Sequence, residues 1–232
     1  MSILKGQVLN KDTNPKTFVW ALPTRLFHWS FGTCITLAFL SGEGIIPLNM
    51  EQHMWLGSAA LTLILFRIFW GLFAGDYARF DRFSLRLSAL SVYAAQLIKR
   101  TPPSHAGHSP AGSWSVVLIL AITLTQSITG LMSSDAIFTE GPLVRMVPNE
   151  IVDTATNIHH WVSKMVLAIV VLHLLAVFYY EAICKQQILL AMITGSKKLH
   201  GQTARERPAA AILLALAAGG LVWLIYLMPE IW

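Results

Sequence analysis

His159 and His173 stand fourteen positions apart within an apolar run from about Ile158 to Tyr180. Imidazole is a standard axial ligand of haem iron, and ionisable side chains inside an apolar span are expensive enough to mark function. In an α-helix fourteen residues turn through about 1400°, roughly 40° short of four turns, and rise about 21 Å. Both rings therefore face one side of the helix, separated by about two thirds of a ~30 Å hydrocarbon core. With a second imidazole for each on neighbouring helices, the result is two stacked haems, a transmembrane wire for electrons. His160 is thirteen residues from His173, about 140° off four turns, and points away from that face. His159 is accordingly preferred over His160.

The elements that must supply the partners follow from composition. The chain has 232 residues, 55% hydrophobic and only 12% charged, against about 25% charged in soluble domains. It reads as an all-α integral membrane protein, a four-helix transmembrane bundle holding two haems plus a fifth C-terminal transmembrane helix. The spans fall at about 26–46, 53–73, 114–132, 158–180 and 209–228. An amphipathic helix at about 84–100, with Leu85, Leu87, Leu90 and Leu97 beside Arg86, Lys99 and Arg100, is expected to lie along the interface. Residues 1–17 are polar and unpatterned, with no secretory signal. Loops are expected at 48–52, 101–112 and 133–157, and a polar link at 185–208. The fifth span carries no histidine or charge, so it has no ligand role and is available to a partner subunit.

The two cysteines form neither CxxC nor CxxCH, which argues against a zinc ribbon and covalently attached haem. Cys34 and Cys184 are expected at different depths, as small apolar fillers. The formal charge of +5 is first a statement about topology rather than about nucleic acid. With the N-terminus in the cytoplasm, fifteen of the seventeen basic residues fall on that side, leaving Arg145 outside and Lys164 within the fourth span. The expected topology is N-terminus in and C-terminus out.

That topology places His28 and His173 near the cytoplasmic face, and His53 and His159 near the outer face. Four ligands thus fall into two depth-matched pairs. Arg67 follows His53 by fourteen residues and Arg25 precedes His28 by about one turn. Each could meet a haem propionate in fork geometry, or serve as a cytoplasmic anchor. Lys164 either snorkels outward or meets an outer propionate. His105 and His108 are read as solvated loop residues ahead of a quinone or proton-relay role, and His200 as a surface residue. Interfacial belts account for many of the aromatic residues.

With Arg25-Leu-Phe-His28-Trp29, His53-Met-Trp-Leu-Gly57, Arg67 and the His159/His173 pair in view, the chain resembles the bacterial di-haem cytochrome b proteins. These include cytochrome b-561 and the cytochrome b subunits of nickel–iron hydrogenases. Gly107-His108-Ser-Pro-Ala-Gly112, Gly141-Pro142-Leu143 and Met192-Ile-Thr-Gly195 are similar to segments of the hydrogenase-like branch. The resemblance implies two non-covalent b haems with bis-histidine ligation in a four-helix core. It also implies electron exchange between the quinone pool and a redox partner, often periplasmic, such as a cytochrome c or a dehydrogenase subunit. The chain departs from the family in its short first outer loop and in the doubled histidine. The leading expectation is an electron-transfer subunit rather than a stand-alone enzyme, with membrane lipid and quinone as further partners and no nucleic acid. A small-molecule oxidoreductase such as a superoxide:quinone oxidoreductase is the first alternative, and a non-redox metal transporter the second.

Overall fold

A computed structural model describes residues 16–199 and 201–231 of the chain, with side chains to 228. Lys5 and Lys11, part of the charge argument, and His200 lie outside the described residues.

Seven α-helices and one short strand pair make up the described chain: α1 Leu22–Gly42, α2 Met50–Phe69, α3 Leu87–Ile98, α4 Pro110–Leu131, α5 Asn149–Phe178, α6 Ile188–Thr194 and α7 Pro208–Ile231, with β1 Lys16–Phe18 against β2 Ser196–Lys198. α2 and α5 each continue into a π-helical turn, Trp70–Ala74 and Tyr179–Ile183.

Several expected boundaries move, and capping chemistry explains why. α2 starts at Met50, inside the expected 48–52 loop, because Asn49 and Gln52 form a capping box: the Gln52 N–H donates to Asn49 Oδ1 at 2.8 Å and the Asn49 N–H to Gln52 Oε1 at 3.0 Å. α4 starts at Pro110, where a missing N–H costs nothing in the first turn, and Ser109 Oγ accepts from the Gly112 N–H at 3.1 Å. The loop expected at 101–112 therefore ends at Ser109. α5 begins at Asn149, far ahead of the expected 158, since its first turns are polar and the apolar run marks only the buried-in-lipid part of a longer helix. α1 begins at Leu22 and ends at Gly42 rather than at 46; Gly44, at φ +67°, turns the chain beyond it.

The strand pair and α6 were not expected either. β1 and β2 pair antiparallel with Thr17 opposite Lys197, and the Val19 and Trp20 N–H groups both donate to the Gly195 carbonyl, at 2.7 and 3.0 Å. Gly195 sits at φ +83°, and a Cβ there would come within 2.6 Å of the Phe18 ring. A strand of three residues carries too little alternation to be seen in a sequence.

Cross-helix contacts fix the packing. Thr24 bonds Trp70, Phe27 meets Phe66, Cys34 Sγ lies 3.1 Å from the Leu56 carbonyl and Ser41 reaches His53. As the number on α1 rises the number on α2 falls, so the two run antiparallel. Gln126–His159 and Ser134–Thr156 make the same argument for α4 and α5. The core lies along α2, whose Ile64 and Trp70 are fully buried and whose Leu61 packs with Leu131 and Val222. Neither cysteine forms a disulfide.

Among the described residues four helical stretches are long and apolar enough to cross a membrane: Met50–Ala74, Pro110–Leu131, Asn149–Ile183 and Pro208–Met228. The expected five become four on this criterion. α1 has the length, at 21 residues, but Arg25, His28 and its Ser, Thr and Gly residues dilute its apolarity. The most apolar 18 residues of α5 are only 6% buried in the protein, and Leu172, Leu174, Leu175 and Phe178 project outward. Such a surface is an expensive one in water and an inexpensive one in lipid.

Candidate functional site

The long straight α5 carries His159 and His173, and each meets a histidine from another helix. His28 of α1 and His173 have ring centres 6.2 Å apart; His53 of α2 and His159 have centres 6.3 Å apart. An imidazole nitrogen binds a first-row metal at about 2.0 Å, and the ring centre lies about 1.1 Å behind it, so two trans ligands of one metal have centres roughly 6 Å apart. Both pairs have that separation. Among the described residues no group of three or more His, Cys, Asp or Glu converges. Each pair thus supplies two donors, the number an iron needs when a porphyrin supplies the other four.

The His53/His159 end is built in detail. His53 Nδ1 donates to the Ala38 carbonyl at 3.0 Å, with the Ser41 hydroxyl 2.9 Å from the same nitrogen. His159 Nδ1 donates to the Gln126 carbonyl at 3.0 Å, with the Thr129 hydroxyl at 3.4 Å. A proton fixed on Nδ1 leaves Nε2 as the ligating atom, which is how outer hydrogen bonds orient metal-binding histidines. Gln126 Nε2 lies 3.1 Å from His159 Nε2, so this amide must turn aside when that lone pair takes a metal.

Beside each ring stands a glycine. A Cβ on Gly42 would lie 3.0 Å from His53 Cε1, and one on Gly130 would lie 2.9 Å from His159 Cε1. Both halves use one device: the carbonyl at position i holds Nδ1, the hydroxyl at i+3 flanks it, and the glycine at i+4 makes room for the ring. In α1 these are Ala38, Ser41 and Gly42; in α4 they are Gln126, Thr129 and Gly130. Residues three and four apart share a helix face, so a hydroxyl–glycine dipeptide in two apolar spans was the signal in the sequence. A cavity of about 220 Å³ opens between the two rings, lined by both histidines and both glycines.

The His28/His173 end is plainer. The two rings stand at 53° to one another, His28 packs edge-on to Trp29 at 5.1 Å, and His28 Nδ1 is sealed with no partner. A buried, unpaired imidazole nitrogen costs free energy until something pairs with it. The donor number and the ring separation fit a bound haem at each pair, and the glycine cradle fits one at His53/His159.

His160 is exposed, and its ring centre is 6.4 Å from that of His159. Arg67 is only 2% exposed, which does not suit a surface anchor. Its Nη2 donates to the Ala78 carbonyl at 3.0 Å, its guanidinium stacks 4.9 Å from the Phe80 ring centre, and Nη1 is sealed without a partner. Arg25 bonds backbone carbonyls instead, Nε to Trp20 at 3.1 Å and Nη1 to Ile193 at 2.7 Å. Lys164 forms an ion pair with Glu43 and lies 5.7 Å from the Phe39 ring centre.

His108 departs from the solvated loop position expected of it. Its ring sits between Trp20 and Phe83, with ring centres 4.8 Å away on each side, and its Nδ1 is sealed. Burial, and then the nearby Arg67 and Lys197 cations, push its pKa down to about 3. It therefore stays neutral at physiological pH. The cause is the unexpected β1–β2 pair, which carries Trp20 and Lys197 over the loop. His105 is half-buried, its ring centre 5.6 Å from that of Tyr93, and its Nδ1 bonds to the Pro103 carbonyl at 3.0 Å.

Residues 19–195 match the family described as prokaryotic cytochrome b561, and the chain belongs to that family. No curated protein and no solved structure matches it. The chain is therefore a membrane cytochrome of a family concerned with transmembrane electron transport, whose members generally bind two b-type haems.

Proposed function

We propose that this cytochrome b561 family member carries electrons across the bacterial inner membrane through two haems, one between His28 and His173 and one between His53 and His159. The observation that carries the reading is the pair of ring separations, 6.2 and 6.3 Å, at two levels of one helix. A haem held at each pair would supply a one-electron couple, and ligation by both histidines of the pair would leave its iron no open position, which favours electron transfer over oxygen chemistry.

The chain's own residues do the rest. The Ala38 and Gln126 carbonyls hold the His53 and His159 tautomers. The two glycines let the rings lie against the neighbouring helices. Arg67 is a buried cation with an unpaired nitrogen, and buried charges persist when they are paired, so its Nη1 is assigned to a haem propionate. The bonds of Arg25 to backbone carbonyls give it a smaller part in that role. In this scheme α1 is a fifth span, its lower apolarity the consequence of the ligand it carries. The excess of basic residues supports a cytoplasmic N-terminus, with the His28/His173 pair toward that face. Quinone or quinol would exchange electrons at one histidine pair, and a redox partner, proposed to be a periplasmic cytochrome c or dehydrogenase subunit, at the other.

The test is a reduced-minus-oxidised spectrum with a pyridine haemochrome count on the wild type, His173→Ala and His159→Ala. Two low-spin b haems per chain are expected, falling to one in each variant. A wild type with fewer than two haems, or variants that keep both, would overturn the assignment.

A further inference from the structure

The last helix, α7, follows the residues that match the family and brings no ligand. The structure nevertheless takes it to the His53/His159 cavity. Ala218 and Val222 are buried, and Val222 packs with Leu61 of α2 and Leu131 of α4. A Cβ on Gly219 would meet Thr62 at 4.0 Å, so the backbones of α7 and α2 run close. One turn beyond Val222, Tyr226 joins the cavity lining, and its hydroxyl bonds to Ser58 Oγ.

The direction of that bond is set by the neighbours. Ser58 Oγ donates to the Met54 carbonyl at 2.8 Å, so its own hydrogen is committed and Tyr226 is the donor. The phenol is thereby fixed in orientation, tied to the helix that carries His53 and only five residues beyond it. An expected bystander has become part of the pocket wall.

We infer that α7 closes the His53/His159 haem pocket and that Tyr226, through Ser58, is a positioning residue that sets the polarity of that pocket and so the reduction potential of its haem. The inference rests on the haem reading above. A bis-histidine iron gains one positive charge on oxidation. Polar groups and water favour the oxidised form, and apolar surroundings favour the reduced form. Replacing the hydroxyl by hydrogen makes the wall more apolar, so Tyr226→Phe raises the midpoint potential of this haem and leaves the His28/His173 haem where it was. Ser58→Ala acts on the same bond. Groups that act through one contact are non-additive, so the double variant matches Tyr226→Phe alone.

The experiment is a redox titration of the full chain in lipid nanodiscs, wild type, both single variants and the double. Each haem is followed by its optical band and its low-spin electron paramagnetic resonance signal. The His53/His159 haem is identified as the one that His159→Ala removes. A shift confined to that haem in Tyr226→Phe, with no further shift in the double variant, supports the inference. Midpoints and signals unmoved in both single variants, or both haems moving together, would overturn it while leaving the two-haem reading intact. A wild type that binds no haem at His53/His159 would overturn both.

Discussion

At the scale of single residues, the site depends on atoms that are missing as much as on atoms that are present. Gly130 has no Cβ, and the space it leaves is filled by His159 Cε1; a methyl group there would stand 2.9 Å from the ring. Because overpacking of this kind costs about 1–3 kcal/mol, Gly130→Ala is expected to displace the ring and lower occupancy of the haem at His53/His159. The other haem should remain. A haemochrome count between one and two per chain would show it, and a full two would mean the ring gives way without consequence. Asp135, in the loop after α4, makes a different prediction. Its carboxylate accepts from the Ile137, Phe138 and Thr139 amides at 2.9, 2.9 and 2.8 Å, and those bonds, Thr139's foremost, hold its pKa down to about 2. Since an unfolded Asp titrates near ~3.9, the stabilisation is complete above about pH 4 and is lost as pH falls through about 2. Hydrogen exchange should find these three amides protected in the wild type at neutral pH and unprotected in Asp135→Asn. Equal protection in both would remove the carboxylate from the loop's account.

At the scale of elements, the sequence was most legible where one physical rule acted alone. The phase of His159 and His173 needs only the regularity of α5, and the helix runs unbroken from Asn149 to Phe178. Apolar runs likewise pointed to the four stretches long and apolar enough to cross a membrane. Less visible were the polar first turns of α5, the Asn49–Gln52 capping box at the head of α2 and the three-residue strands, since none of these is marked by apolarity. The carbonyl–hydroxyl–glycine device was readable as Ser41-Gly42 and Thr129-Gly130, but only once the opposing histidines were known to lie there. His108 was misjudged because its burial is made by Trp20, 88 positions away. The regularity of α5 is open to a direct test. One alanine inserted after Leu167 would rotate His159 relative to His173 by about 100°. The inserted chain should then bind one haem rather than two, whereas two haems would show that the fixed phase of this helix is not what places the rings.

For the whole molecule, the distribution of charge bears on which way the proposed wire points. The loop between α4 and α5 holds Asp135 and Glu140 with Arg145, and the exposed start of α5 adds Glu150 and Asp153. The opposite end collects Arg79, Arg82, Arg86, Lys99 and Arg100, and later Lys197, Lys198, Arg205 and Arg207. Part of that basic charge does structural work as well: Arg207 Nη2 pairs with Asp76 at 3.0 Å, and the Arg205 N–H donates to the same carboxylate at 2.6 Å, tying the link before α7 to the end of α2. Lysine and arginine are retained on the cytoplasmic side during insertion, so the pattern supports the proposed orientation, with His53 and His159 outward. Cysteine labelling reads this directly. In a chain with Cys34 and Cys184 replaced by alanine, a cysteine at Phe138, which is 94% exposed, should react with a membrane-impermeant maleimide on intact cells. A cysteine at Ser104, in the loop before α4, should react only after the membrane is opened. The reverse pattern would place the His28/His173 haem at the outer face, and the redox partner proposed for the His53/His159 end would then have to be sought in the cytoplasm.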